Sequence, residues 1–403
     1  MQKIYQVAIV GGGASGLFCA INLCSGQNAI CGKEVLVLER LGRVGKKLIA
    51  TGNGQGNLSN ENISILNYHG DKGFIKAFFE NAKDINLEKE FLKLGIPLCS
   101  DEKGRIYPLS KQASAVLDVF REVLQSLQVQ IETDAKVLSV KKENGIYKID
   151  SEKGVFYANK VIFSCGGKAG AQFGTDGTSY KLLENFGHKV TKTYPSLVQI
   201  KTEKEKIKGL KGVKEDAKVT LLDGEEVIKE EVGEVLFTDY GVSGNAIFYL
   251  SSAYYTAKNP MLKIEFLPKL TKKETEIILQ NKKDMVKDFS DENALLCIVN
   301  KRLANVICKE AKSITPKALS ESLKAFYIKP IGTLSFDSAQ VTKGGIDTVD
   351  INPFTLKSKL EKGVYVTGEM LNVDGDCGGY NLHFAFLSAI ISALDVKNSI
   401  KEN

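Results

Sequence analysis

Residues 11–16 of the chain, with the sequence GGGASG, have the residue types and spacing of a phosphate-binding turn. In such a G-x-G-x-x-G motif, Gly11 allows the tight turn, Gly13 lets a pyrophosphate approach the backbone, and Gly16 lets a helix pack closely. An apolar run precedes the turn, and a second run ends in Glu39, whose carboxylate can accept hydrogen bonds from a ribose diol. The pattern predicts a dinucleotide site at a helix N-terminus, with a ligand-free glycine turn as the alternative.

A lysine-rich stretch between residues 201 and 218 is the second feature that could carry chemistry. Its lysines are Lys201, Lys204, Lys206, Lys208, Lys211, Lys214 and Lys218. Acidic residues alternate with them, so a solvated surface is the favoured interpretation, and phosphate contact with an RNA is the alternative. No aromatic residues lie between the lysines to stack on bases.

The elements that must position these motifs are predicted from apolar periodicity. A strand, the glycine turn, a helix over residues 14–24 and a strand over 34–39 form a βαβ unit, which implies a parallel sheet. Residues 111–127 carry apolar side chains at steps of three and four, as an amphipathic helix does. Asn144-Gly145 and Asp223-Gly224 predict tight turns.

The pattern changes near residue 191, which indicates a second domain. Residues 194–268 alternate apolar and polar positions and predict mostly strands, whereas 272–289, 292–312 and 316–326 predict helices. A strand over 363–367, a Gly-rich turn and a closing helix over about 380–394 end the chain. We expect one domain of residues 1–190 and 346–403, a β-rich domain of 191–270 and 328–345, and a helical insertion of 271–327.

Composition limits the protein class. The 403 residues are 43% hydrophobic and 25% charged, as in globular proteins, and the net charge of +6 permits an anionic substrate without demanding one. Eight cysteines without a C-x-x-C pair predict reduced thiols in a cytoplasmic protein and no metal site. No apolar run is long enough to cross a membrane.

The whole chain resembles the BaiN/YhiN-like (BaiN/RdsA) family of NAD(P)/FAD-dependent oxidoreductases. Beyond the glycine motif, the resemblance is carried by five ordered segments: residues 45–60 (GKKLIATGNGQGNLSN), 165–167 with 173–177 (CGG and FGTDG), 236–244 (LFTDYGVSG), 341–345 (VTKGG) and 366–382 (VTGEMLNVDGDCGGYNL). It implies an α/β fold, with a discontinuous Rossmann-like FAD-binding domain and a β-rich domain that carries the helical insertion. NAD(P)H is a candidate electron donor without a Rossmann domain of its own.

The resemblance also implies which residues hold FAD. Glu39 would hold the adenosine ribose with Arg40 beside it, and the Val137 backbone would contact the adenine. Gly368, Glu369, Asp374 and Gly375 would face the ribityl chain and pyrophosphate. The remaining cofactor residues are Gly11, Gly13, Ala14, Ser15, Gly16, Lys47, Thr51, Gly52, Asn57, Gly166, Gly167, Gly379, Tyr380, Asn381 and Leu382. The last four would begin the closing helix near the pyrimidine end of the flavin, where a helix N-terminus favours the anionic reduced state.

Four residues, in three segments, depart from the family pattern. Gln55-Gly56 stands where the family loop has Arg-Cys, Asp239 stands where a His often follows Phe-Thr, and Asn245 replaces a common Pro. One cationic contact and one thiol are therefore missing beside the flavin, and substrate choice can differ at Asp239.

Catalytic candidates follow from the chemistry of C=C reduction, in which an acid protonates the carbon that does not receive the hydride. Tyr380, His383, Asp239 and Cys377 are the candidates. Each has a structural alternative: a core histidine, a flavin-wall or capping tyrosine, and a cysteine chosen for its size.

Three functions remain open at this point. The first is an FAD-dependent reductase of an activated C=C bond, either uracil in 23S rRNA or a steroid-like enone. The second is an amine oxidase that acts on a small amine such as aminoacetone, and the third is a non-enzymatic flavin sensor. The basic charge and the large accessory domain favour the first, with the substrate expected between the β-rich domain and the flavin. The oligomeric state is left open.

Overall fold

The computed structural model describes residues 3–401, and the chain divides into two compact units. The first unit joins the N-terminal part of the chain, up to Tyr194, to the C-terminal part from Val341 onward. The second unit is the contiguous segment Pro195–Gln340.

The helices and strands have the following bounds. The strands are β1 (Ile4–Val10), β2 (Val35–Leu38), β3 (Ser59–Asn60), β4 (Tyr68–Gly70), β5 (Leu98–Ser100), β6 (Arg105–Pro108), β7 (Gln130–Glu132), β8 (Val137–Glu143), β9 (Ile146–Ser151), β10 (Gly154–Phe163), β11 (Tyr194–Ser196), β12 (Ile200–Thr202), β13 (Lys214–Asp223), β14 (Glu226–Phe237), β15 (Gly241–Ser243), β16 (Pro260–Phe266), β17 (Phe326–Ile328), β18 (Pro330–Thr333), β19 (Val341–Lys343), β20 (Val364–Val366) and β21 (Val373–Gly375). The α-helices are α1 (Ala14–Leu23), α2 (Lys46–Ile49), α3 (Lys72–Ala82), α4 (Leu87–Lys93), α5 (Ala113–Ser126), α6 (Tyr180–Glu184), α7 (Asn245–Tyr254), α8 (Lys272–Met285), α9 (Lys301–Glu310), α10 (Pro316–Lys324) and α11 (Tyr380–Lys401).

The main sheet of the first unit has the order β7-β2-β1-β10-β9-β8, with β20 also paired to β10. β7, β2, β1, β10 and β20 are parallel, and β9 and β8 extend the sheet in antiparallel pairing. Every residue of β2 is buried, as expected for a strand covered on both faces. The predicted α/β class with a parallel sheet is confirmed.

An aromatic cluster joins the two ends of the chain inside the first unit. Phe18 of α1 lies 5.0 Å from Phe386 of α11 and 5.3 Å from Phe91 of α4, measured between ring centroids. Phe120 of α5 completes the cluster, and all four rings are fully buried. The cluster fixes α1 and α11 relative to each other, so elements about 370 residues apart in sequence can serve one site.

The second unit has a separate hydrophobic core and a seven-stranded sheet of order β17-β16-β13-β14-β15-β12-β18. β13 and β14 form a hairpin at the predicted Asp223-Gly224 turn. The Asn144-Gly145 prediction is also confirmed: both residues have positive φ angles, 50° and 86°, in the β8–β9 hairpin.

Four element predictions were wrong. The prediction of mostly strands over 194–268 missed α7; Asn245 occupies its first position, where a Pro would have marked the helix start. Residues 292–300 are not helical, because Cys297 has a φ of 62° and the Asn300 side chain caps the start of α9. The apolar runs over residues 155–158 and 160–164 predict two short strands, but both belong to one strand, β10. The closing helix α11 continues beyond residue 394 to Lys401, because its C-terminal half is also buried against the core.

Within residues 3–401, no helix is both long enough and apolar enough to cross a membrane.

Candidate functional site

The glycine-rich turn follows β1 directly, and its conformation requires glycine at two positions. Gly11 has a φ of 109° and donates its N–H to Leu38 O of β2 at 2.8 Å. A Cβ on Gly11 would lie 2.5 Å from the Ser164 carbonyl oxygen, and a Cβ on Gly16 would collide with the Gly11 carbonyl oxygen. The motif thus lets β1, β10 and α1 approach one another.

Gly13 faces open space at the start of α1. It is the N-cap residue, no side chain caps the helix, and the first turn carries no acidic residue. Ser15 does not cap either, because its hydroxyl donates to Thr367 Oγ1 at 2.9 Å. A Cβ on Gly13 would meet no atom within 4 Å. Ala14 and its neighbours therefore present a helix N-terminus beside an opening, an arrangement that favours an anion.

Glu39 lies at the carboxyl end of β2 and is 9% exposed. Its two carboxylate oxygens accept hydrogen bonds from Gly12 N at 2.9 Å and Leu41 N at 2.8 Å. Burial raises the pKa of Glu39, although these N–H groups oppose the rise. Each oxygen retains a second lone pair, so the carboxylate can still accept from a hydroxyl of a ligand.

Arg40 and Val137 flank Glu39 in different ways. Arg40 forms an ion pair with Asp176 at 2.8 Å and donates to Gly174 O at 3.3 Å. Burial opposes ionisation of Asp176, but Arg40 and Thr178 outweigh it and lower its pKa to about 2. Val137 begins β8 two residues after Ala135, whose N–H donates to Glu39 O at 2.8 Å. The backbone near Val137 is thereby held beside Glu39.

Lys47 and Glu369 form an ion pair of 2.6 Å that is mostly shielded from solvent. Lys47 Nζ also donates to Ala169 O at 3.0 Å, and the second Glu369 oxygen accepts from Thr342 N at 2.8 Å. Gly167 is packed against this group, because a Cβ there would lie 3.0 Å from Glu369 Oε1 and would collide with the Thr342 hydroxyl. Thr342 was not predicted as a site residue.

Gly166 and Gly368 complete this part of the site. Gly166 has a φ of 72°, and a Cβ there would lie 2.7 Å from the Thr175 side chain and 3.9 Å from Glu369 Oε2. Gly368 donates its N–H to Ser388 Oγ of α11 at 2.9 Å. The structure therefore brings Lys47, Gly166, Gly167 and Glu369 together.

Asp374 is a buried carboxyl group with an unsatisfied oxygen. It lies on β21, opposite His69 of β4, and is 1% exposed. Its Oδ2 has no hydrogen-bond partner among the described residues. Burial raises its pKa to about 6; Lys343 and His69 lower it, and Asp376 and Glu369 raise it. A buried oxygen that accepts no hydrogen bond destabilises the folded state, and a hydroxyl group of a ligand would supply the missing hydrogen bond.

The start of α11 is tied to the loop that precedes β3. Gly379 has a φ of 103°, and a Cβ there would collide with Ser59 O. The Asn57 side chain bridges the same two backbones: its nitrogen donates to Ser59 O at 3.0 Å and its oxygen accepts from Gly379 N at 3.1 Å. Asn60 Nδ2 donates to Gly378 O at 2.9 Å.

The first turn of α11 is fixed by its own side chains. Asn381 accepts from Gly375 N and donates to Gly375 O, both at 2.8 Å. A Cβ on Gly375 would lie 2.7 Å from Tyr380 Cβ, so this turn also needs a glycine. Leu382 packs against the hydrophobic core.

The loop from Thr51 to Asn57 explains one departure from the family. Thr51 donates to Leu48 O at 2.6 Å, and Gly52 has a φ of 57°. Gly56 has a φ of 76°, and a Cβ there would lie 3.1 Å from Ala113 Cα. This close packing on α5 accounts for a glycine where the family has a cysteine.

The four catalytic candidates lie in different environments. His383 is held at Nδ1 by Ser59 Oγ at 2.7 Å, and burial lowers its pKa to about 4. Tyr380 is 8% exposed, and burial followed by Asp376 raises its pKa. Cys377 is partly buried in the same segment. Asp239 belongs to the second unit, where it is exposed and paired with Lys211 at 2.9 Å.

The described residues contain no group of three or more His, Cys, Asp or Glu side chains that could hold a metal ion.

Two sequence comparisons show which known proteins this chain is similar to. The family described as HI0933-like protein Rossmann domain matches residues 5–395. The chain is 33% identical to a 3-dehydro-bile acid delta(4,6)-reductase of Clostridium scindens, covering 96% of this chain and 98% of the relative. It is 27% identical to a ribosomal RNA dihydrouridine synthase of Escherichia coli K12, covering 97% and 98%.

Solved structures share the fold. The 3-ketosteroid-delta4-(5alpha)-dehydrogenase of Rhodococcus jostii RHA1 has a TM-score of 0.51 at 13% identity, covering 98% of both chains. A quinol fumarate reductase of E. coli has the same TM-score at 13% identity, covering 99% of this chain and 71% of its own.

Proposed function

This chain belongs to the HI0933-like Rossmann family, and from that membership we propose that it is a flavin-dependent reductase of an activated C=C bond in a small, enone-type substrate. The family and the oxidoreductase class predicted from the motifs are confirmed.

The observation that carries the cofactor proposal is the opening at Gly13, beside the uncapped N-terminus of α1. An FAD pyrophosphate would lie there, because free N–H groups and the helix dipole stabilise its charge. Glu39 would accept from the adenosine ribose. The unsatisfied Asp374 oxygen would accept from a ribityl hydroxyl. Each of these residues lacks a partner or retains acceptor capacity, so the set fits a dinucleotide.

When bound, a reduced flavin supplies a hydride equivalent to one carbon of the substrate double bond. The chain must then deliver a proton to the other carbon. Tyr380 is the proposed donor because its phenol carries a proton at neutral pH and it is the first residue of α11, near which the flavin would bind. His383 is neutral near pH 7, and Asp239 is ionised because Lys211 lowers its pKa.

The lysine-rich stretch supports a small substrate over an RNA. Four of its seven lysines form ion pairs within the second unit: Lys206 with Glu310, Lys211 with Asp239, Lys214 with Glu234 and Lys218 with Glu230. Paired lysines offer little uncompensated charge to a phosphate backbone. The enone interpretation is also in keeping with the name of the 33% identical relative.

The proposal is tested with purified protein loaded with FAD and reduced anaerobically. A 3-oxo steroid with a conjugated double bond should reoxidise the flavin and yield the saturated product in equal amounts. NAD(P)H is the proposed reductant and is tested in the same assay, with dithionite as the reference. Dihydrouridine formation in 23S rRNA, with no enone turnover, would favour the RNA alternative. Peroxide release with aminoacetone would indicate an amine oxidase, and tight FAD binding without turnover would indicate a sensor.

Charge reversal of three exposed lysines gives an independent check of substrate class. The triple variant Lys201→Glu, Lys204→Glu and Lys208→Glu is expected to leave kcat/KM for the enone within about twofold, since surface charges contribute little to binding of a neutral ligand. If the substrate were an RNA, the variant would bind it more weakly than the parent does, and the binding would depend less on the salt concentration. The measurement is kcat/KM of the parent and of the variant, each at low and at physiological salt concentration.

A further inference from the structure

Tyr180 is a buried phenol that no motif singled out. It is the first residue of α6 and is 7% exposed. Its hydroxyl has no hydrogen-bond partner among the described residues. Tyrosine hydroxyls usually find a partner when they are buried, so this orphan is a feature that the fold alone does not explain.

The hydroxyl lies in the neighbourhood of the candidate cofactor site. The preceding Ser179 hydrogen-bonds to the Cys165 thiol, which in turn donates to Val10 O at the end of β1, 3.2 Å away. Tyr180 itself interacts electrostatically with Glu369 and Cys165. Tyr180 is therefore next in sequence to a residue hydrogen-bonded to Cys165, which follows β10, and within electrostatic range of the Lys47–Glu369 pair. Ligands of such sheets bind at the carboxyl ends of the strands.

The residues around Tyr180 do not take up its hydroxyl. The two Glu369 oxygens accept from Lys47 Nζ and Thr342 N. Burial, followed by the charges of Glu369 and Cys165, raises the pKa of Tyr180, so the phenol stays protonated and can act as a donor. What it lacks is an acceptor oxygen, and a dinucleotide carries many on its phosphates and ribityl chain.

We propose that the Tyr180 hydroxyl donates a hydrogen bond to an oxygen of the bound FAD. This inference rests on the proposed function, because it requires that the site holds FAD. Tyr180 is then a cofactor ligand that stands outside the glycine motifs, on the helix that follows the Phe173–Gly177 segment.

The test separates cofactor binding from folding by means of Tyr180→Phe. Removing a buried, unsatisfied hydroxyl should leave the melting temperature of the FAD-free protein unchanged or higher. The same change should raise the Kd for FAD roughly tenfold, since one hydrogen bond to the ligand is lost. Kd is measured by flavin fluorescence quenching and the melting temperature by calorimetry.

Tyr365→Phe is the matched control. Tyr365 is also buried, but its hydroxyl donates to Asp395 Oδ2 at 2.7 Å. This variant should lower the melting temperature and leave the Kd for FAD unchanged. If Tyr180→Phe lowers the melting temperature and binds FAD as the parent does, the hydroxyl serves the fold alone and the inference is overturned. If the parent protein binds no FAD, the proposed function itself fails.

Discussion

Replacing Gly13 with alanine is expected to weaken FAD binding by about 10- to 100-fold and to leave the fold of the FAD-free protein intact. Gly13 has a φ of −85° and extended ψ, a conformation that alanine adopts without strain. The added methyl would meet no protein atom within 4 Å, so it would occupy the opening into which the pyrophosphate must approach. Overpacking a tight contact costs about 1–3 kcal/mol, which corresponds to the stated loss of affinity.

Gly16→Ala is the contrasting variant. Its Cβ would collide with the Gly11 carbonyl oxygen and lie 3.3 Å from Ile9 Cγ2, so we expect loss of the fold rather than a selective loss of affinity. Circular dichroism of the FAD-free proteins and FAD titration distinguish the two variants. A Gly13→Ala protein that binds FAD as tightly as the parent would show that no phosphate lies at this turn.

Asp374→Asn is expected to stabilise the FAD-free protein at pH 8 by about 3 kcal/mol and to weaken FAD binding by about tenfold. The pKa of Asp374 is raised to about 6 in the folded state, from an ordinary value of 3.8, because the carboxyl group is buried. Each pKa unit corresponds to about 1.4 kcal/mol of differential stability. Asparagine keeps the size of the side chain and removes the buried charge.

The direction of the pH dependence follows from proton binding. Because the folded state holds the Asp374 proton more tightly than the unfolded state, the contribution of this group to the free energy of unfolding is full below about pH 4. It is lost as the pH rises through about 6. The stabilisation by Asp374→Asn should therefore appear between about pH 4 and pH 7, in denaturant titrations at a series of pH values.

Asp101→Asn is a control for which we expect the opposite effect on stability at pH 8. Although burial opposes ionisation of Asp101, hydrogen bonds from Arg105 and Lys103 outweigh it and lower its pKa. Its contribution is therefore present above the unfolded pKa and lost in acid, so this variant should be less stable than the parent at pH 8. If the parent and Asp374→Asn show the same pH profile, the buried carboxyl does not titrate as described.

The parts of the site that local sequence encodes were predictable. The Gly11–Gly16 turn is a local structure, and steric contacts within a few residues explain why it needs glycine. The turns at Asn144-Gly145 and Asp223-Gly224 depend on positive φ angles, at Asn144, Gly145 and Gly224, that few residue types adopt readily. Glu39 follows from its position after the second strand.

Residues brought to the site by long-range pairing could not be predicted in this way. His69 faces Asp374 only because β4 pairs with β21, about 300 residues later in the chain. Thr342 reaches Glu369 through its backbone N–H, which carries no sequence signal. Tyr180 is recognisable only because its hydroxyl has no hydrogen-bond partner among the described residues, and this can be seen only in the folded structure.

The discontinuous first unit imposes an order on biosynthesis. Its glycine turn is translated before the second unit, whereas β20 and α11, which complete the sheet and pack against α1, are translated after it. At roughly 5–20 residues per second, the contiguous second unit emerges over about ten seconds or more and can fold while the first unit is still incomplete. The nascent chain therefore lacks β20 and α11 for the whole of that interval, and the first unit can complete its sheet and core only after both have been synthesised.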